Sequence, residues 1–263
     1  MRDQNPLTTP TLTLPEAARL ALQCLDLTSL NDGDTATDID ELCQRAQTRF
    51  GPVAAVCVWP RFVARARSQL PASIQVAAVA NFPAGALDAA LALADVKTIV
   101  DAGGNEVDVV LPYRALMNAQ AQACTDFLAQ VRAASRPLTL KVIIESGVLA
   151  TPERIAQATQ LTLAAGADFV KTSTGKTPVS ATLEAARVML TEIADSGQGN
   201  VGFKASGGIR SVQDAKVYLE LVASKLGKEA LTSKRFRFGA SGLLNDIEAV
   251  LGGQASIRTS SAY

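Results

Sequence analysis

Residues 138–172 read LTLKVIIESGVLATPERIAQATQLTLAAGADFVKT, and this stretch decides the fold. Leu138–Ile144 is an apolar run with Lys141 set into it, which predicts a short strand. Thr151-Pro152-Glu153 then carries the marks of a helix start: a hydroxyl cap, a proline at the first helical position and an acid in the first turn. Apolar residues at helical spacing continue to Ala165, Gly166 closes the helix, and Ala167–Thr172 is a second short strand. Strand, capped helix, strand is the unit from which parallel sheets are built.

The unit recurs on both sides. Further strands are predicted at Cys24–Thr28, Val53–Val58, Ile74–Ala80, Glu106–Leu111, Asn200–Lys204 and Arg235–Gly239. Helical spacing fills Asp34–Phe50, Leu87–Ala102, Arg114–Ala134, Ala181–Asp195 and Ser211–Leu226. Ser211 with Asp214 marks another helix start, and Gly103 and Gly197 mark ends. Eight strands with helical connections in 263 residues predict an α/β fold, a single-domain (β/α)8 TIM barrel. A doubly wound open sheet is the alternative, but it would place a GxGxxG turn after its first strand, and none is present. The barrel is expected to occupy residues 16–251. An N-terminal tail (1–15) would precede it and a mobile C-terminal tail (252–263) would follow.

Composition narrows the function. The chain carries 25 basic and 25 acidic residues, and 48% of it is apolar, so it is neither disordered nor a binder of nucleic acid or another polyanion. Its apolar runs are far too short to span a membrane, and the first residues lack the apolar core of a signal peptide. A cytoplasmic protein is therefore expected, with Cys24, Cys43, Cys57 and Cys124 reduced. Histidine is absent, which removes Ser-His-Asp and Cys-His catalysis and histidine-ligated zinc. Acid–base chemistry is left to Asp, Glu, Lys, Tyr and Cys.

Alternation along each strand tells which side chains point into the barrel. Val107 and Val109 share the outward face, so Glu106 and Asp108 point inward. Leu140, Val142 and Ile144 go outward, leaving Lys141, Ile143 and Glu145 inside. Lys171 shares a face with Phe169, and Lys204 shares the inward face with Gly202. Asp26 and Thr28 share a parity on the first strand, and Cys57 lies on the inward face of the second. Asp108, Lys141, Lys171 and Lys204 therefore converge. A lone lysine is normally a solvated surface residue, but buried charges cost several kcal/mol each unless paired, so this convergence points to function.

A free lysine of pKa about 10.4 is only about 0.04% neutral at pH 7. Lowering its pKa to about 7 makes half of it nucleophilic, a gain of about 10³ worth about 4.6 kcal/mol. Desolvation and a second cation are the levers, and Lys204 can act on Lys171 while Asp108 balances the pair. Such an amine forms a Schiff base with a carbonyl substrate and needs neither metal nor cofactor. The turns Ala205-Ser206-Gly207-Gly208 and Gly239-Ala240-Ser241-Gly242 follow the seventh and eighth strands, where barrels usually bind phosphate. Gly175-Lys176 would add a third contact. Glycines are also ordinary turn residues, so the turns alone support a phosphorylated substrate without proving one.

Phe169-Val170-Lys171-Thr172-Ser173-Thr174-Gly175, Val201-Gly202-Phe203-Lys204 with Gly207-Gly208, and Glu106-Val107-Asp108-Val109 together resemble the deoxyribose-phosphate aldolase family. The resemblance extends to Leu25-Asp26-Leu27-Thr28, Cys57-Val58-Trp59-Pro60, Val142-Ile143-Ile144-Glu145, Phe238-Gly239-Ala240-Ser241 and the terminal Tyr263. It implies a class I aldolase that reversibly cleaves 2-deoxy-D-ribose 5-phosphate to D-glyceraldehyde 3-phosphate and acetaldehyde. Its substrates would thus be a phosphosugar and aldehydes, and it would act as a homodimer. Lys171 would form the Schiff base, Lys204 would lower its pKa, and Asp108 would work as acid and base through a water, with Lys141 in the same network. Gly175, Lys176, Gly207, Gly208, Gly239 and Ser241 would hold the phosphate, and Asp26, Thr28, Cys57 and Thr172 would line the substrate. Tyr263 would assist proton transfer at the acetaldehyde carbon. Gly242 departs from members that place a second serine there. Two rivals remain at this point: another Schiff-base phosphosugar aldolase, and a non-catalytic phosphosugar-binding barrel.

Overall fold

A computed structural model describes residues 11–256. Within them, eight parallel strands pair in chain order and close on themselves. They are β1 (Leu25–Thr28), β2 (Ala55–Val58), β3 (Gln75–Ala80), β4 (Glu106–Val110), β5 (Thr139–Ile143), β6 (Phe169–Lys171), β7 (Gly202–Ser206) and β8 (Phe236–Ala240). β8 returns to β1 with Phe238 opposite Leu25, which closes the barrel. The outer ring is α1 (Leu14–Gln23), α2 (Ala36–Arg45), α3 (Val63–Gln69), α4 (Ala89–Asp101), α5 (Tyr113–Met117), α6 (Ala121–Ser135), α7 (Ser146–Leu149), α8 (Pro152–Ala164), α9 (Leu183–Asp195), α10 (Val212–Leu226) and α11 (Leu243–Leu251).

The outward strand residues make the main core. Val107, Val109, Leu140, Val142, Val170, Phe203, Phe236 and Phe238 are completely buried between barrel and helices. Full burial of such a side chain contributes about 1.5–3 kcal/mol. The aromatics interlock, Phe236 meeting Phe238 edge-on at 4.6 Å between ring centres. The helix signals hold where a side chain can complete the first turn. Thr151 caps α8 by accepting from the Arg154 N–H, and Ser211 with Asp214 forms a reciprocal capping box on α10. Gly103, Gly166 and Gly197 all take positive φ beyond their helices.

Several expected boundaries are corrected. The predicted helix 34–50 stops at Arg45, and the chain turns into a small hairpin pairing Gln47–Thr48 with Gly51–Pro52. Gly51 at φ 122° and the imino nitrogen of Pro52 suit that turn and not a helix. The helix predicted over 114–134 is two helices, α5 and α6, parted where Ala119 adopts φ 60°. Residues 13–15, expected in the N-terminal tail, belong to the first helix: Thr13 caps α1 in a box with Glu16, and α1 packs on α10 and α11. At the other end, Ser256 is tied back to α11 by a 2.6 Å hydrogen bond from its hydroxyl to Asp246. Tyr263 lies outside the described residues. Among the described residues no helix is long and apolar enough to cross a membrane.

Gly202 shows how tightly the inward face is filled. A Cβ there would lie 2.4 Å from the Phe169 ring and 2.9 Å from the Arg235 carbonyl oxygen. Neither atom is the free end of a flexible chain. Gly202→Ala should therefore lower the unfolding free energy by about 1–3 kcal/mol in urea titration.

Candidate active site

Alternation delivers seven charged side chains to the barrel axis from six strands. Asp26 comes from β1, Glu106 and Asp108 from β4, Lys141 from β5, Lys171 from β6, Lys204 from β7 and Arg237 from β8. Asp108 sits at the centre. Its Oδ1 accepts from Lys141 Nζ at 2.9 Å, and its Oδ2 accepts from Lys171 Nζ at 2.6 Å and Lys204 Nζ at 2.8 Å. Lys204 also donates to Asp26, and Lys141 to Glu106. Arg237 bridges the floor, giving Nη1 to Asp26 at 2.5 Å and Nη2 to Glu106 at 2.8 Å. The Arg237 guanidinium lies 5.7 Å from the centre of the Phe169 ring.

The four predicted residues Asp108, Lys141, Lys171 and Lys204 are thus brought together as expected, and Asp26 joins them. Lys141 and Lys204 have no exposed surface, whereas Lys171 at the end of β6 retains 4%. That difference leaves Lys171 as the amine a substrate can reach. Burial is the main influence lowering its pKa and Lys204 adds to it, while Asp108 opposes both. Burial alone would raise the Asp108 carboxyl, but the three lysines hold it far below the usual carboxylate range. Lys204 moves the other way: burial works against its charge, yet Asp108 and Asp26 keep it firmly protonated. One amine is disposed to lose its proton while its neighbour stays cationic.

Glu106 and Arg237 belong to the cluster and carried no role in the sequence reading. The signal was present, because Phe236 and Phe238 face outward and so turn Arg237 inward. Beside the amines lies a separate apolar patch of Leu30, Cys57, Ala77 and Val79, walled by Trp59 and Phe82 in an edge-to-face pair. Cys57 is completely buried there. Burial pushes its thiol up, with Asp108 acting in the same direction, so the neutral thiol prevails near pH 7.

The glycine turns meet at the C-terminal mouth. Gly175, Gly207 and Gly208 take φ of 78°, 82° and 80°, and a Cβ on Gly207 would stand 3.3 Å from the Gly175 Cα. Side chains at either turn would fill the space where the two backbones approach. Lys176 is exposed beside them, and its N–H donates to the Thr174 hydroxyl. Glu145, in a left-handed conformation, pins this loop by accepting from the Thr174 N–H and hydroxyl and from the Thr177 hydroxyl. Ser241 is exposed just before α11, whose cap Gly242 makes no side-chain hydrogen bond.

Other predicted contacts have structural duties. The buried Thr172 hydroxyl donates to the Ser206 carbonyl and accepts from the Ser206 N–H, tying β6 to β7. Thr28 donates back to the Asp26 carbonyl. Gly239 makes room: a Cβ there would lie 2.3 Å from Ser206 Oγ and 3.1 Å from Lys204 Cε. Ser206 Oγ, buried at that point, has no hydrogen-bond partner among the described residues. A cavity of about 750 Å³ opens at the opposite, N-terminal end of the barrel, with Gln75, Glu106, Thr139 and Arg237 in its lining. It touches the floor of the charge cluster and is remote from the mouth.

Comparison with known proteins agrees with the fold. The family model described as DeoC/LacD family aldolase matches residues 20–248. A deoxyribose-phosphate aldolase from Agrobacterium fabrum strain C58 is 46% identical over 251 residues, covering 94% of this chain and 96% of that protein. The crystal structure of a putative deoxyribose-phosphate aldolase from Coccidioides immitis superposes with a TM-score of 0.77 at 31% identity, covering 91% of each chain. The apo-form crystal structure of a putative deoxyribose-phosphate aldolase from Toxoplasma gondii ME49 shares the fold with a TM-score of 0.82 at 22% identity, covering 93% of this chain and 99% of that one. A reachable amine among paired charges at the mouth of a closed barrel, with a family model spanning nearly all of it, establishes that the chain belongs to the DeoC/LacD aldolase family.

Proposed function

We propose that this aldolase reversibly cleaves 2-deoxy-D-ribose 5-phosphate to D-glyceraldehyde 3-phosphate and acetaldehyde through a Schiff base on Lys171. The observation that carries the reading is the position of Lys171: a desolvated amine at the mouth, hydrogen-bonded to Asp108 and next to the fixed charge of Lys204. The neutral amine adds to the C1 aldehyde of the open-chain sugar, and loss of water gives an iminium ion. The C3 hydroxyl then gives up its proton and the C2–C3 electron pair flows into the iminium. Glyceraldehyde 3-phosphate leaves, and an enamine remains on Lys171. Protonation at C2 and addition of water release acetaldehyde and the free amine.

Asp108 is held too firmly by three lysines to store a proton for long, so it orients the amine and passes protons through a water. Lys204 and Lys141 keep Asp108 ionised. The phosphate binds where the turns at Gly175-Lys176 and Gly207-Gly208 converge, with Gly239, Ser241 and the N-terminus of α11 completing the cradle. The Gly242 N–H takes the place of a serine hydroxyl there. The methyl end of the two-carbon unit rests on the apolar patch around Cys57, and Asp26, Thr28 and Thr172 shape the space beneath. Tyr263 serves proton transfer at C2. The protein acts as a cytoplasmic homodimer, a state that its mass in solution tests.

Incubation with acetaldehyde and borohydride should place a single ethyl adduct on Lys171, read by mass spectrometry. Adducts scattered over surface lysines would leave only a phosphosugar-binding barrel, and cleavage of the sugar phosphate without acetaldehyde would indicate another aldolase of the family. Lys171→Ala should abolish turnover while phosphate-ester binding, followed by calorimetry, persists. Lys204→Leu should lose several hundred-fold or more in kcat, because the amine then holds its proton at neutral pH. If Cys57 captures unsaturated aldehydes built by repeated acetaldehyde addition, Cys57→Ala should outlast the parent enzyme in concentrated acetaldehyde, and equal half-lives would exclude that role.

A further inference from the structure

We infer that Glu106 and Arg237, at the floor of the barrel, are positioning residues that select Lys171 as the neutral amine and set the pH above which it reacts. The inference rests on the assignment of Lys171 as the Schiff-base residue and concerns groups that never touch the substrate. Its ground is a count of charges in one buried cluster. Lys141, Lys171, Lys204 and Arg237 are four cations facing three carboxylates, Asp26, Glu106 and Asp108. Loss of one proton makes the cluster neutral. A buried excess charge is costly, so the cluster favours that loss.

The distribution of partners decides which cation yields. Lys141 has three carboxylates within 4 Å, Asp26 at 3.8 Å, Asp108 at 2.9 Å and Glu106 closer still. Lys204 has two, Asp26 and Asp108. Arg237 has two, Asp26 and Glu106. Among the described residues Lys171 has Asp108 alone, and shares its Oδ2 with Lys204. Glu106 and Arg237 produce this inequality: Glu106 holds the Lys141 proton, and Arg237 occupies one oxygen of Asp26 and Oε1 of Glu106, reaching its Oε2 at 3.4 Å, where they would otherwise serve lysines.

The remaining groups around these side chains leave the count unchanged. Facing Lys171 are Asp108 from β4, Lys204 from β7, Lys141 from β5 through their common carboxylate, and Cys57 from β2, whose thiol stays neutral. Asp26 from β1 acts on it through Lys204. Glu145, beyond β5, is engaged by Thr174 and Thr177. Facing Arg237 are Asp26, Glu106, the Phe169 ring and Cys24, which burial pushes up to about 12.

Removing the Arg237 charge leaves three cations and three carboxylates, so Lys171 keeps its proton to higher pH. Removing the Glu106 charge leaves four against two, so Lys171 releases it at lower pH. Removing both restores the excess of one. The test is the pH dependence of borohydride-trapped ethyl adduct at Lys171 with acetaldehyde, in the parent, Arg237→Gln, Glu106→Gln and the double variant. The half-point should rise by about one pH unit or more in Arg237→Gln and fall by a similar amount in Glu106→Gln. In the double variant it should return to within a few tenths of a unit of the parent. A merely structural role would depress the yield at every pH and leave the half-point in place. Half-points that coincide, or single variants that move in the same direction, overturn the inference. If Arg237→Gln fails to fold, the near-isosteric Glu106→Gln decides alone, and an unmoved half-point there overturns it. An adduct absent from Lys171 in the parent would instead defeat the assignment of Lys171 as the Schiff-base residue, so the two failures are told apart by where the ethyl group lies.

Discussion

The hydrogen bonds converging on Asp108 are the interaction on which the rest of the site depends. Three lysine amines share one fully buried carboxylate. Lysine side chains brought this close would repel one another without it, and Asp108 would be very costly to bury without them. The three lysines also reach it from adjacent strands, so the position of Lys171 is fixed by strand register, with Lys141 opposite Asp108 and Lys204 opposite Lys171. An amine held on strands keeps its geometry more closely than one carried on a loop.

The two ends of the barrel divide the work. At the C-terminal mouth, glycine turns and an apolar patch define a space suited to a small phosphorylated aldehyde. At the N-terminal end, Arg237 and Glu106 complete the ion pairs. The middle layer connects the two, since Lys141 touches both Glu106 below and Asp108 above. The chemistry at the mouth is therefore tied electrostatically to residues near the other surface of the domain.

Much of this was legible because strands alternate. A period of two assigns every strand residue to one of two faces, and a single pair such as Val107 and Val109 fixes the parity that turns Asp108 inward. Lys141, Lys171 and Lys204 followed in the same way. The same rule turns Arg237 inward, but an arginine beside Phe236 reads equally well as a surface residue until Asp26 and Glu106 are placed opposite it. Glu106 was read as inward but had no role without its guanidinium partner. The division between α5 and α6 was hidden for a different reason: Asn118-Ala119-Gln120 contains neither glycine nor proline, yet Ala119 takes the left-handed conformation of a helix-ending turn closed by the Gln120 N–H donating to the Ala115 carbonyl. Glu145 was read as inward too, but its part in pinning the Gly175 loop depends on a backbone conformation that glutamate rarely adopts and that no local pattern announces.

The closure of the barrel also bears on how the chain folds. Arg237 and Asp26 lie 211 residues apart, on the last and first strands, and Lys204 meets Asp26 across 178. A half-assembled sheet without β1 or β8 would have to leave these charges in water or bury them unmatched. Desolvation of the axis is thereby deferred until the final strand docks against the first, which couples the charges to the cooperativity of the whole domain. The residues that surround the Lys171 amine are also the ones whose pairing is completed only when the barrel closes.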